Sequence, residues 1–345
     1  MARRVLFALL ILGPLVVALD RAGAVRNLVL FPLAAAALIP LAWLIGEATE
    51  HAARYTGPDV GGFLNASFGN APELIIALVA VSNGLTDVVR ASLTGSIVGN
   101  LLLGLGFVLL VAKPGPIDRT SAFVSLGTVL LAVLMLLVAS LPSFHGDPDR
   151  HSLAVLSLPL AIGLLAIRIG VNRRWLRRQR RMQHASAAPT GGWSLRLAVV
   201  VLGAATISTA FVTETLVGSL EDFARQAHLS EFFVAIVIVA IVGNITEHGS
   251  AVLLARRGQL PLAAEIGLAS ASQVAGFLIP LVAILSWTIE PLALSLRPIE
   301  VASMGVAVFA AAVALYPPKT SRATGAVLVG AYAALVVAFY VAGDR

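Results

Sequence analysis

Apolar runs of about twenty residues, separated by short polar or basic stretches, recur along the whole chain. A helix rises about 1.5 Å per residue, so each run is long enough to cross a hydrocarbon core of about 30 Å. The pattern predicts eleven spans, at 5–19, 27–50, 59–82, 86–111, 120–140, 152–171, 194–219, 231–255, 260–286, 299–316 and 323–342. The expected fold class is an all-α polytopic membrane protein with about 11 transmembrane helices. The first run follows Arg3-Arg4 and ends near Ala22-Gly-Ala24, which resembles a signal-peptide cleavage site. It is read here as a first transmembrane helix over 1–22, and either reading leaves the ten spans behind it unchanged.

Two of the runs are interrupted in the same way. Gly69 to Glu73 reads Gly-Asn-Ala-Pro-Glu, and Gly243 to Glu247 reads Gly-Asn-Ile-Thr-Glu. Between Glu231 and Asn244 lie twelve residues without a polar side chain, roughly 18 Å of helix, and the eight residues from His248 to Ala255 add about 12 Å before Arg256-Arg257. Asn244 and Glu247 therefore fall near the middle of the bilayer. Asn70 and Glu73 do the same, with Pro58 to Asn70 leading in and Leu74 to Val81 apolar behind them. A carboxylate at that depth is costly, faces a protein interior or a wet cavity, and marks an ion or proton path.

The segment Arg173 to Arg181 holds six arginines in nine residues and continues into Ala, Ser, Pro and Gly to Gly192. It reads as a cytoplasmic linker, 173–192, between a first five-helix repeat, 23–172, and a second, 193–345. An odd number of spans per half makes the second half enter from the opposite side, so the arrangement is 1 + 5 + 5 with two inverted-topology repeats. With the N-terminus in the cytoplasm, inner segments hold 17 of the 24 basic residues and outer segments 7, which supports a cytoplasmic N-terminus and an outer C-terminus. The expected location is a bacterial inner (plasma) membrane.

Composition agrees. Hydrophobic residues make up 58% and charged residues 12%, and mean hydropathy is +0.92. These values belong to a membrane protein. The net charge of +6 comes from loop arginines, so it speaks to topology and anionic membrane lipid rather than to nucleic acid. Cysteine is absent, which removes thiolate metal sites.

The Asn amides, neighbouring hydroxyls and backbone carbonyls supply oxygen ligands, and two glutamates complete a hard-cation set of the kind calcium accepts. Two facing carboxylates without a cation cannot both stay charged in a poorly solvated place, so they take up protons instead. Cation and protons then compete for one pair. The alternative reading makes these motifs small-residue helix contacts with satisfied glutamates, but its weight falls because the motif occurs twice at one depth. Glu47 and Glu214 lie one span earlier in each half and nearer a span end, where a gate, a proton-path residue and a solvated terminus are all compatible. Glu50 and His51 read as interfacial. The six histidines form no cluster for zinc or copper.

At these motifs the chain resembles the calcium/proton exchanger family of the calcium/cation antiporter superfamily, in its prokaryotic form. The matching text is Gly46-Glu-Ala-Thr-Glu50, Gly61-Gly-Phe-Leu-Asn-Ala-Ser-Phe-Gly-Asn-Ala-Pro-Glu-Leu-Ile-Ile-Ala77, Ala91-Ser-Leu-Thr-Gly-Ser-Ile-Val-Gly-Asn-Leu-Leu-Leu-Gly-Leu-Gly106 and Gly243-Asn-Ile-Thr-Glu-His248. The resemblance implies an eleven-span antiporter that moves Ca2+ against H+ without a cofactor, with Glu73 and Glu247 as carriers. It places Asn70, Asn244, Ser96, Ser270 and Gln273 among the supporting polar ligands. The chain departs from the family at Ala269-Ser270-Ala271-Ser272-Gln273, where one glycine is lost and one hydroxyl moved. It departs again in its arginine-rich linker, where eukaryotic members often carry an acidic helix.

Three other classes compete. A sodium or potassium antiporter of the same fold shares every feature above. A cation channel would lack strict coupling to protons. An intramembrane enzyme is disfavoured, since the chain has no His-Glu-x-x-His and no Ser/His/Asp or paired-Asp arrangement at common depth.

Overall fold

The computed structural model describes residues 2–144, 148–180 and 192–344, with the side chains of 2, 3, 57–63, 65, 66 and 171–180 outside that description. Among the described residues there are helices and no strands. They are α1 Ala2–Leu9, α2 Leu12–Arg21, α3 Asn27–Phe68, α4 Ala71–Ser82, α5 Thr86–Val111 and α6 Arg119–Ser143. Next come α7 His151–Arg180, α8 Leu195–Ala227, α9 Glu231–Arg256, α10 Leu260–Thr288, α11 Pro298–Leu315 and α12 Arg322–Ala342. Nine are long and apolar enough to cross a membrane. The predicted span at 5–19 is instead the short pair α1 and α2, and the one at 59–82 is divided between the end of α3 and the twelve-residue α4. The linker expected over 173–192 starts within α7, whose backbone stays helical to Arg180. The rest of that linker, 181–191, lies outside the described residues.

The two Gly-Asn motifs break their helices differently. At the first copy α3 ends at Phe68 and α4 starts at Ala71. Pro72 explains the position, since it has no N–H to give the Phe68 carbonyl four residues back and its ring would clash there. The second copy has Thr246 in place of that proline, and Gly243-Asn244 sits inside unbroken helix. The expected interruption there is absent. The irregularity lies earlier, in a π-helical turn at Val234–Val239. Two more π-turns interrupt α5 at Gly99–Gly104 and α10 at Val274–Leu278.

The chain forms two compact units, Met1–Val79 with Leu165–Phe223, and Ala80–Leu164 with Ala224–Arg345. In the first unit α3 and α8 lie antiparallel. Asn27 donates to Asp222 at 2.7 Å, Phe31 stacks on Phe223 at 4.4 Å, Ile45 and Ala48 share a core cluster with Leu202 and Ala205, and His51 stacks on Trp193 at 4.9 Å. Each of these helices is the first long span of its half, so opposite directions are what inverted repeats require.

In the second unit α5 and α9 run in parallel and cross closely. A Cβ placed on Gly95 would lie inside contact distance of the Ile236 carbonyl and 2.7 Å from the Ala240 Cβ. Gly106 and Gly325 permit a second close crossing, of α5 with α12, where a Cβ on Gly325 would meet the Gly106 oxygen and the Leu110 nitrogen at 2.7 Å. Small residues that let backbones approach are the usual solution where lipid is as apolar as leucine.

One of the basic residues that entered the loop count is buried. Arg90 is 1% exposed and heads the largest fully buried side chains. Its guanidinium donates to Asp149 at 2.8 Å, Asp87 at 2.5 Å, the Ala293 carbonyl at 3.2 Å and Ser295 at 3.3 Å. These bonds tie α5 to the non-helical, buried segment 292–296, whose own backbone N–H groups at Leu292, Leu294 and Leu296 bond to Ser286, Ser157 and Ser140. Unpaired backbone groups at this depth would cost several kcal/mol each, roughly, and the serines remove that cost.

Gly95→Ala is expected to force α5 away from α9 and to destabilise the protein by about 1–3 kcal/mol, as overpacking does. Gly127→Ala is the control, because nothing lies within 4 Å of a Cβ at Gly127. Thermal melts in detergent should show a clear drop for the first and none for the second.

Candidate cation site

The second unit gathers four of the polar groups expected from sequence, Ser96, Asn244, Glu247 and Ser270, around one that was not named as a ligand, Asn100. This residue opens the π-turn of α5 and is fully buried. Its Nδ2 donates to Asn244 Oδ1 at 2.7 Å and to Ser270 Oγ at 3.0 Å, and its Oδ1 lies 3.1 Å from His248 Nε2. Asn244 Nδ2 donates to Ser96 Oγ at 3.0 Å and to the Ala240 carbonyl at 2.9 Å. The Ser270 hydroxyl hydrogen-bonds the Glu247 carboxylate, whose Oε2 is buried without a partner.

A single backbone group fixes all these orientations. The Ala240 carbonyl can only accept, so the Asn244 atom facing it is the amide nitrogen, and the Asn244 oxygen must face Asn100. Asn100 then presents its own nitrogen to Asn244 and its oxygen to His248. His248 therefore carries a proton on Nε2. Ser270 accepts from Asn100 and has its hydroxyl hydrogen left for Glu247. His248 fits because Gly104 leaves room, as a Cβ there would come within 2.6 Å of the imidazole Cδ2. Its bond to Asn100 was not expected from the sequence, which set it only beside Glu247. The available signal was the pair Gly99-Asn100, an amide in an apolar run that water cannot solvate.

Gln273 is half-buried at the last residue before the α10 π-turn, three positions past Ser270. In the first unit Asn70 and Glu73 stand at the α3/α4 break, 1% and 7% exposed. Glu73 falls in the first turn of α4, where the helix dipole favours a negative charge. Glu47 is half-buried with Oε1 3.5 Å from His51 Nε2. His51, expected at an interface, is 8% exposed. Glu214 is exposed, next to Thr215, which donates to Asp20 at 2.7 Å, and one turn past Phe211, over which Arg21 lies at 5.7 Å. The register of α3 against α8 sets Glu47 and Glu214 about 18 Å apart along the pair, toward its opposite ends.

Helices that span a bilayer, opened by π-turns around a buried carboxylate with convergent amides and hydroxyls, define a membrane transporter for cations. Irregular backbone at that depth persists where it is buried in protein or lines a path. The chain belongs to the sodium/calcium exchanger protein family, whose model matches residues 26–169 and 197–341. It is similar to the Ca(2+)/H(+) antiporter ChaA of Bacillus subtilis (strain 168), 35% identical over 326 residues covering 90% of this chain and 92% of that one. The vacuolar calcium ion transporter of Schizosaccharomyces pombe is 32% identical, over 88% of this chain and 77% of that one. Among solved structures, native YfkE matches with a TM-score of 0.82 at 31% identity, covering 98% of this chain and 99% of that one. The H+/Ca2+ exchanger CAX shares the fold, with a TM-score of 0.71 at 19% identity, over 98% of this chain and 92% of that one.

Replacing Asn100 by leucine keeps the volume but strands the Asn244 oxygen and the His248 N–H, at about 1–3 kcal/mol for each buried group left unsatisfied. Thr94→Val on the same helix removes a hydroxyl that has no partner, and is expected to be neutral or stabilising. Melting curves of the two variants, compared in one detergent, check the contrast.

Proposed function

We propose that this protein is a secondary antiporter that exchanges Ca2+ for H+ by alternating access, with Glu73 and Glu247 binding either the cation or protons. The observation that carries the reading is the duplication: Gly-Asn-x-x-Glu occurs at one depth in two halves of opposite direction. The Ser96, Asn244 and Ser270 side chains near Glu247 carry neutral oxygens, the chemistry a hard cation accepts once the amides of Asn100 and Asn244 release them. Relatives named as Ca2+/H+ antiporters support the choice of ions.

Alternating access follows from cost. Loaded with calcium or with two protons, the carboxylate pair is neutralised; empty and charged, it is the form least able to cross, so exchange is obligatory. A sodium or potassium antiporter of the same fold is the second reading, favoured by the family's own description as sodium/calcium exchangers. The chain divides, on this reading, into a first helix over 1–22, repeats over 23–172 and 193–345, and a cytoplasmic linker over 173–192. The excess of basic residues in alternate loops supports a cytoplasmic N-terminus, an outer C-terminus and, given bacterial relatives, an inner membrane.

Inverted membrane vesicles under an imposed pH gradient should take up calcium, with sodium and potassium failing to compete. Glu73→Gln and Glu247→Gln should each abolish that uptake while leaving folded protein in the membrane, because glutamine keeps the volume and an oxygen but not the charge. Lower pH on the binding side should weaken apparent calcium affinity and leave the saturating rate unchanged. A maximal rate that moves with pH at constant affinity would assign the proton path elsewhere, to Glu47 or Glu214. Calcium flux without a proton gradient dependence would overturn the antiporter reading.

A further inference from the structure

One end of the second unit carries six exposed cations on three neighbouring connections: Lys113, Arg119, Arg256, Arg257, Lys319 and Arg322. The connections are joined. The Thr320 N–H and hydroxyl both reach the Gly115 carbonyl, at 3.2 and 3.3 Å, and a Cβ on Gly115 would meet Leu260 at 3.5 Å. None of the six makes an ion pair among the described residues. The opposite end of the same unit behaves differently. There Arg90 is held by Asp87 and Asp149, Arg150 donates to the Pro142 carbonyl at 2.8 Å, and Arg297 donates to the Gly343 carbonyl at 2.7 Å. Protein groups satisfy the cations at one end and leave those at the other to something outside the chain.

Two further features indicate what that is. Arg119 lies over the ring of Tyr316 at 5.6 Å, and Tyr316 is 71% exposed. It continues an exposed apolar stripe on α11 through Phe309 and Val313, at 72% and 56%. An apolar stripe that ends in an aromatic ring and then in unpaired cations matches a molecule with an acyl chain and an anionic head, with the ring at headgroup level. We propose that this surface binds an anionic phospholipid of the leaflet it faces, with the phosphate among Lys113, Arg119 and Lys319 and a chain along Phe309, Val313 and Tyr316. Two carboxylates lie nearby, Asp118, which caps α6 through the Ser121 N–H at 3.1 Å, and Glu265, which takes the Ser121 hydroxyl at 3.4 Å. Against six cations they leave the surface strongly positive.

The test uses the full chain reconstituted with equal amounts of phosphatidylglycerol and phosphatidylcholine of the same acyl chains, washed in detergent and analysed for retained lipid by mass spectrometry. Phosphatidylglycerol should be enriched about tenfold in the retained fraction, since each basic residue near an anionic headgroup contributes roughly fivefold before screening. The triple variant Lys113→Gln, Arg119→Gln, Lys319→Gln should lose most of that enrichment, whereas Arg119→Lys should keep it. Millimolar inorganic phosphate should not displace the lipid. Equal retention of the two lipids, or unchanged enrichment in the triple variant, would overturn the proposal, and displacement by phosphate would reassign the surface to a free anion. Retention is read without transport, so it stands or falls independently of the antiporter assignment.

Discussion

The hydrogen bond from Asn100 to Asn244 is the contact on which the second unit's interior depends. Each of these amides is buried, and a buried N–H or oxygen left without a partner is costly. The Ala240 carbonyl sets the direction, and the rest follows as a chain through Ser96, Ser270, Glu247 and His248. The same groups that hold three helices in register carry the oxygens proposed above to meet the ion. On that proposal structure and cargo compete for one set of atoms, and a cation that enters must replace the hydrogen bonds it breaks.

The π-turns at Gly99–Gly104 and Val234–Val239 serve that arrangement from the backbone side. An extra residue per turn rotates the following segment, which brings Asn100 and then His248 onto the seam between α5 and α9. Gly95 and Gly104 let the seam close, the first against the Ile236 backbone and the second against the imidazole. Without the glycines the amides could not meet at 2.7 Å.

Much of this was legible in the text of the chain, for physical reasons that differ by residue. Long apolar runs can do little else than cross a bilayer, and Glu247 within one of them announces itself by cost alone. Asn244, Ser96 and Ser270 were found through their motifs and do converge. Asn100 stood in quoted sequence yet carried no charge to mark it, and its importance comes from bonding three side chains on two other helices. The π-turns had no compositional signal, since no residue type requires one. The break expected at Gly243-Asn244 failed because Gly-Asn permits interruption without compelling it; at the first copy Pro72 compels it. The burial of Arg90 was not legible, because its partners Asp149, Ala293 and Ser295 are distant in sequence.

Those partners give α5 an unusual history during synthesis. As the segment emerges, Thr86 and Asp87 lie within four residues of Arg90 and can bond it, and a charged side chain on a membrane helix is costly until it is paired. Asp149 follows 59 residues later, and Ala293 follows 203 residues later. At roughly 5–20 residues per second, the last of these arrives on the order of 10–40 s after the arginine. The helix that carries Ser96 and Asn100 is thus seated provisionally by the insertion machinery and anchored only when the final third of the chain has been made. Its depth in the membrane is settled after translation has passed it, by residues from the other repeat.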